Sequence, residues 1–196
     1  MATLNALNAL MFGSDNDSLY LGEHSPDDVK GITGLKAEIP QTLIDMGWVS
    51  EDGLSLDLAD SVSEIKGHQG HGTVRTFMSD STTKISAVFL ESKLKTVEWN
   101  LDAKVAKLKE TVGSEQVDIA KLTVPAARKV RRLSGVIDAF DTSDSSIQWR
   151  VLFPTLELGE REGVQLKVGE ITAWKYTLQV IGEYYLLTNH KAMIPA

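Results

Sequence analysis

The last third of this chain alternates apolar and polar residues almost step by step, and that period restricts what the chain can fold into. In IQWRVLF (147–153), Ile147, Trp149, Val151 and Phe153 alternate with Gln148, Arg150 and Leu152. VQLKV (164–168) and WKYTLQV (174–180) alternate in full, the latter with Trp174, Tyr176, Leu178 and Val180 on one side. A period of two is the mark of strands with one buried face. The clusters DTSDSS (141–146) and LGEREG (158–163) read as the turns between them.

The same period appears earlier. GLSLDLAD begins at residue 53 and places Leu54, Leu56 and Leu58 against Ser55 and Asp57. Val74, Thr76 and Met78 form a second run, SDST (79–82) reads as a turn, and TKISAVFL (83–90) follows. That last run sets Ile85, Ala87 and Phe89 on one face and Val88 and Leu90 on the other, as in a strand lying between two layers. One helix is expected over ESKLKTVEWNLD (91–102), capped by Ser92, with Leu94, Val97 and Leu101 on its apolar side. Residues 103–124 suit either a helix or a hairpin turning at VGSEQV, and strands are favoured. Residues 1–35 are rich in turn formers and read as an arm or long loop, with residues 36–196 as one domain. The expected fold is mainly β (α+β), a β-sandwich or barrel with one flanking α-helix.

Composition narrows the function. Acidic residues outnumber basic ones 27 to 20, giving a formal charge of −7, which opposes tight binding to nucleic acid. With no cysteine there is no disulfide, thiolate ligand or thiol nucleophile, which fits folding in a reducing cytoplasm. No apolar run approaches the roughly 18 residues of a membrane span. The opening MATLNALNALMFG lacks a basic n-region, so no signal peptide and no membrane insertion are expected.

The most reactive-looking stretch is SEIKGHQGHGTVRTF (63–77). His68 and His71 would share a metal only on a helix, and Gly67, Gly70 and Gly72 oppose one. His24 and His190 stand at spacings that complete no ligand set, so a bend between strands is expected here, with no metal and no cofactor. In RKVRR, strand alternation would put Arg128 and Arg132 on one face and Lys129 and Arg131 on the other, as surface or inter-subunit basic residues. No G-x-S-x-G elbow, P-loop or G-x-G-x-x-G is present, so no catalytic residues are assigned and no enzyme is expected. The pairs Asp27–Asp28 and Glu51–Asp52 read as solvated turn residues, and the four tryptophans as core or interface anchors.

Residues 38–92 carry a series of turns that is specific when taken together. Trp48 is followed by the Glu51-Asp52-Gly53 turn, then by Glu64-Ile65-Lys66 with Gln69-Gly70, then by Val74-Arg75-Thr76 and a strand leading to a helix near Glu91. With VLFPTLELGEREGVQLKVGEITAWKYTLQVIG (151–182), this resembles the major tail protein, or tail tube protein, of long-tailed, non-contractile (siphovirus-type) bacteriophages over roughly residues 36–182. The resemblance implies homohexameric rings with a shared inner β-barrel, stacked as a virion tail tube through which the genome is ejected. It also implies assembly in the host bacterial cytoplasm, with tail tip, tape measure and tail terminator proteins as partners.

A bore that passes double-stranded DNA transiently must not hold phosphates, because each fixed cation would bind one. Asp57, Asp60 and Glu64, read as alternating against Leu54, Leu56 and Leu58, are the expected lumen-facing acids. Two other readings stand beside this one. The first is a tube subunit of a phage-derived injection or type VI-like system. The second is a virion carbohydrate-binding β-sandwich module, which would present an exposed platform such as Trp174 with Tyr176.

Overall fold

A computed structural model describes residues 5–195. Among the described residues, ten strands and two short α-helices follow one another. β1 (Ser18–Glu23), α1 (Pro26–Lys30) and β2 (Leu43–Asp45) come first, then the long β3 (Val49–Lys66) and β4 (Thr73–Phe89). α2 (Leu94–Leu101) leads to the hairpin of β5 (Lys104–Val112) and β6 (Glu115–Thr123). β7 (Arg131–Phe140), β8 (Gln148–Arg161), β9 (Trp174–Val180) and β10 (Tyr185–Thr188) complete the fold.

Eight of these strands form one antiparallel sheet in the order β2-β1-β7-β8-β9-β4-β3, with β10 pairing the first half of β8 and β9 the second. The sheet is open. Its edges, β2 and β3, do not meet, and β5 and β6 form a separate two-stranded sheet. The expected barrel is therefore not there, and no sandwich closes over the sheet. Closure would need strand tilt and stagger that bring the two edges together. Here one end strand has only three residues, and at the other end β3 and β4 together run out beyond β9.

Both faces are covered only at the β1-β7-β8 end. On one face α2 lies over a core of Leu19, Leu21, Leu133, Phe153, Leu156, Leu158, Tyr176 and Phe89, all fully buried. α2 faces this core through Thr96, Trp99 and Asn100, while the expected anchor Leu94 is exposed. Three hydrogen bonds anchor the helix through this side. Trp99 Nε1 donates to Glu23 (3.1 Å), Asn100 Nδ2 to the Lys175 carbonyl (3.1 Å), and Tyr176 Oη to the Thr96 carbonyl (2.5 Å). Burial raises the Tyr176 phenol well above its ordinary value. Ser92 does not cap α2; Lys93 occupies the N-cap, and Ser92 Oγ instead accepts from Trp174 Nε1 at 3.0 Å. Asp102 ends the helix in the left-handed region, φ 53°.

On the other face, α1 and the 31–42 loop cover Val136, Leu152 and Leu43. Beneath this loop the buried Arg150 guanidinium donates to both oxygens of Asp138 (2.6 and 2.7 Å) and to the carbonyls of Gly34 and Ala37. This double coverage buries β7 from Leu133 to Asp138 without a break, so alternation is masked there.

Several expectations change. Of residues 1–35, the first four lie outside the described residues and 5–17 hold one 3-10 turn, Ala6–Asn8, and no strand, but β1 sits inside the sheet with Leu19 and Leu21 fully buried. The turn expected at 79–82 is continuous strand, interrupted only by an irregularity beside Ser79. β8 continues to Arg161, through part of the turn expected at 158–163. VQLKV (164–168) forms no strand; it belongs to the long β8–β9 connection, where Leu166 and Val168 are exposed because no neighbouring strand pairs with them. Residues 103–124 do form the favoured hairpin, and the described residues hold two α-helices where one was expected.

Candidate functional site

β4 pairs with β9 only from Lys84 onward, so the β3–β4 hairpin beyond that point is a bare two-stranded ribbon. From Leu58 to Lys66 it extends about 27 Å at roughly 3.3 Å per residue. Isolated ribbons of this kind are marginal in water. Its tip is the 67–72 turn, closed by Gly67 N–H donating to the Gly72 carbonyl at 2.9 Å, with Gly70 and His71 at positive φ. His68 and His71 are exposed on this turn. Among the described residues no group of three or more His, Asp or Glu side chains could hold a metal ion.

The register decides which side chains share a face. Leu54, Leu56, Leu58, Asp60, Val62 and Glu64 lie on the side that carries Ile85 and Ala87 into the core. Leu54 still packs on the core, but Leu58 is 66% exposed, Val62 60% and Met78 56%. The core face of the sheet thus runs past the body with nothing over it. Asp60 accepts from Ser81 Oγ (2.7 Å) and Glu64 from Thr73 Oγ1 (3.0 Å) on this same side.

Asp57 lies on the opposite face, with Ser55, Ser61, Asp80, Thr82, Lys84 and Ser86. The three carboxylates expected to act together are therefore split, one against two. The residue numbers alone hold the reason: 60 and 64 share the parity of 54, 56 and 58, and 57 does not. Asp80 was missed because its segment read as a turn. The polar face continues across Thr177 and Gln179 of β9 to Glu157 of β8. Its cations on the body are paired: Lys84 with Glu160 (3.7 Å), Arg132 with Glu157 (2.9 Å) and Lys175 with Glu162 (2.7 Å).

The basic cluster also divides. β7 begins at Arg131, so strand alternation reaches only Arg131 and Arg132. Arg131 turns toward α2 and bonds Glu23 (3.1 Å) and Asp102 (3.3 Å). The Lys129 N–H donates to Asp102 and its carbonyl accepts from Arg161, while Arg128 is exposed. First the Lys129 N–H and then Arg131 hold the Asp102 carboxyl below its ordinary value.

The β5–β6 hairpin stands apart from the sheet and is exposed along almost its whole length. One face carries Ala106, Leu108, Val112, Val117 and Ile119, with Lys104 and Lys121 near its base and Glu110 and Glu115 toward its tip. The other face holds the Lys107–Asp118 ion pair at 2.6 Å. The aromatic platform of the carbohydrate-binding reading is absent, since Trp174 and Tyr176 are both buried. Trp48 is the exposed tryptophan, just before β3, and its backbone N–H donates to Glu91 at 2.9 Å.

No protein-family model matches this chain, and a search of curated proteins finds no match. Among solved structures, the chain is similar to one from the cryo-EM structure of an extracellular contractile injection system, the PVC sheath-tube complex in its extended state. The match covers 93% of this chain and 95% of that one, at 9% identity and a TM-score of 0.45, a likeness too faint to establish fold or role.

Proposed function

We propose that this chain is a self-assembling structural protein without enzymatic activity, whose copies join into rings stacked as a tube. The observation that carries the reading is the uncovered core side of the β3–β4 hairpin, where Leu56, Leu58, Val62 and Met78 face solvent in a single chain. An apolar stripe on an unpaired ribbon, ending in an open sheet edge, invites association unless it is covered. Covering it with another copy turns that liability into an assembly contact. Rings of six, and the tail tip, tape measure and terminator proteins as partners, follow from the sequence resemblance and belong to this proposal.

Within such a tube we assign the bore to the polar face that bears Asp57 and Asp80. This wall carries small hydroxyl side chains, the Asp57 and Asp80 carboxylates and cations already held by Glu157, Glu160 and Glu162. Toward the tip it carries Ile65, Phe77 and one cation without an ion-pair partner among the described residues, Arg75, so it gives phosphates few points to bind. Asp60 and Glu64, on the other side, fall outside this assignment. Electron microscopy of the purified protein tests the reading: uniform rings or tubes are expected, and a monomer that persists at high concentration would defeat it. A genome-conducting phage tail and an injection-machine tube differ in cargo, so nuclease-protected DNA inside tubes isolated from native particles distinguishes them.

A further inference from the structure

One of the four histidines is buried without a partner. His68 and His71 are exposed, and His24 meets Thr155 Oγ1 at 3.0 Å. His190 is 7% exposed and, among the described residues, its ring makes no hydrogen bond or ion pair. Burying a polar ring this way costs free energy unless something else meets it. The ring lines a cleft of about 330 Å³ at the end of the sheet where β8 begins. Thr188 of β10 pairs with Trp149 of β8, and the chain then turns through Lys191–Met193, where the His190 carbonyl accepts from the Met193 N–H at 2.9 Å. The N-terminal segment supplies another wall. Met11 N–H donates to the buried Asp141 at 2.9 Å, and the Met11 carbonyl accepts from Thr142 N–H at 2.7 Å, which holds Leu10 and Phe12 beside the cleft.

Apart from the exposed Asn8 and the His190 ring, the cleft is apolar or aromatic, with Leu10, Phe12, Trp149 and Met193 among its walls. The Phe12 and Trp149 ring centroids stand 5.0 Å apart with planes tilted by 54°, and the Trp149 indole N–H is enclosed with no acceptor. Such walls give water few partners, and the volume falls near the lower end of the about 300–1,000 Å³ of small-molecule sites. Aromatic rings and a thioether favour the face or edge of a flat ring, and an imidazole can both donate and accept a hydrogen bond. We infer that this cleft binds a small aromatic molecule carrying one hydrogen-bonding group, with its ring against Phe12, Trp149 and Met193 and that group on His190. None of these residues belongs to β3, β4, β5 or β6, so binding here does not depend on the assembly reading.

Phenol and toluene, which share a ring and differ in the hydroxyl, are the probes. Saturation-transfer NMR titration of the full chain, which reads the ligand whether the protein is monomeric or assembled, is expected to show saturable phenol binding. For a ligand this small the Kd should be on the order of 1 mM. Ala192 is exposed at the cleft, so Ala192→Trp fills the space without removing a core contact. It is expected to weaken phenol by about tenfold or more while far-ultraviolet circular dichroism stays unchanged. His190→Phe keeps a ring and removes the polar partner. The ratio of phenol to toluene affinity is then expected to fall about three- to tenfold, the worth of one hydrogen bond. A wild type that binds no phenol saturably, or binding that Ala192→Trp does not weaken, would overturn the site. A phenol-to-toluene ratio that His190→Phe leaves in place would overturn the assignment of the polar group to His190.

Discussion

Replacing Asp138 with Asn tests how the 31–42 loop is held on the sheet. Arg150 and Asp138 are nearly enclosed, with side chains 6% and 8% exposed. The carboxylate takes two guanidinium bonds, at 2.6 and 2.7 Å, and one from Gln148 Nε2 at 3.2 Å. Asn keeps the shape but leaves the guanidinium charge without its counterion in a site that water does not reach. Breaking one side of such a pair costs about 3–5 kcal/mol, because the orphaned charge has been desolvated with no return. In a chain of this size that lowers Tm by about 6–20 °C. Arg150→Met strips Asp138 of its cation and also removes the donor to the Gly34 and Ala37 carbonyls, at 3.1 and 2.7 Å. It is expected to cost at least as much and to free the loop. Thermal denaturation of dilute protein measures the first effect, and limited tryptic cleavage after Lys36 reports the second. If both variants melt within 3 °C of the wild type and resist trypsin equally, the pair does not hold the loop and the reasoning fails.

Further expectations follow from packing and titration. Gly22→Ala would drive a Cβ into the Thr42 carbonyl oxygen, a backbone atom with little room to retreat, and should cost about 1–3 kcal/mol in a urea melt. Trp99→Ala empties the site between α2 and the sheet and should cost about 3–5 kcal/mol, with loss of the indole's near-ultraviolet dichroism. Asp102 binds a proton less readily when folded than when unfolded, so its contribution is present above the ordinary carboxylate value near pH 4 and disappears as pH falls through its lower native value. Asp102→Asn should therefore flatten the decline of Tm as pH falls below the ordinary carboxylate value; an unchanged slope would remove Asp102 from the acid response.

Strand content was legible because alternation depends only on neighbouring residues. Trp174, Tyr176, Leu178 and Val180 read as one buried face and are one. Other parts were hidden for physical reasons. β7 is covered on both sides from Leu133 to Asp138, so no alternation marks that stretch in the sequence. VQLKV alternates perfectly, yet pairing needs a partner strand and none lies beside it. Asp138 and Arg150 lie twelve residues apart, and only the β7–β8 register brings them together under the loop.

By itself the sequence determined that this is a cysteine-free, acidic, strand-rich chain whose Gly-rich histidine stretch is a bend, since composition and backbone preference act locally. It also contained, in plain parity, the split of Asp57 from Asp60 and Glu64. Only the tertiary structure decided that the sheet stays open, that its apolar side outruns the body, and that the β5–β6 hairpin is left without cover. These depend on which strands meet and where each ladder stops, and such long-range pairings are set by the packing of the whole chain.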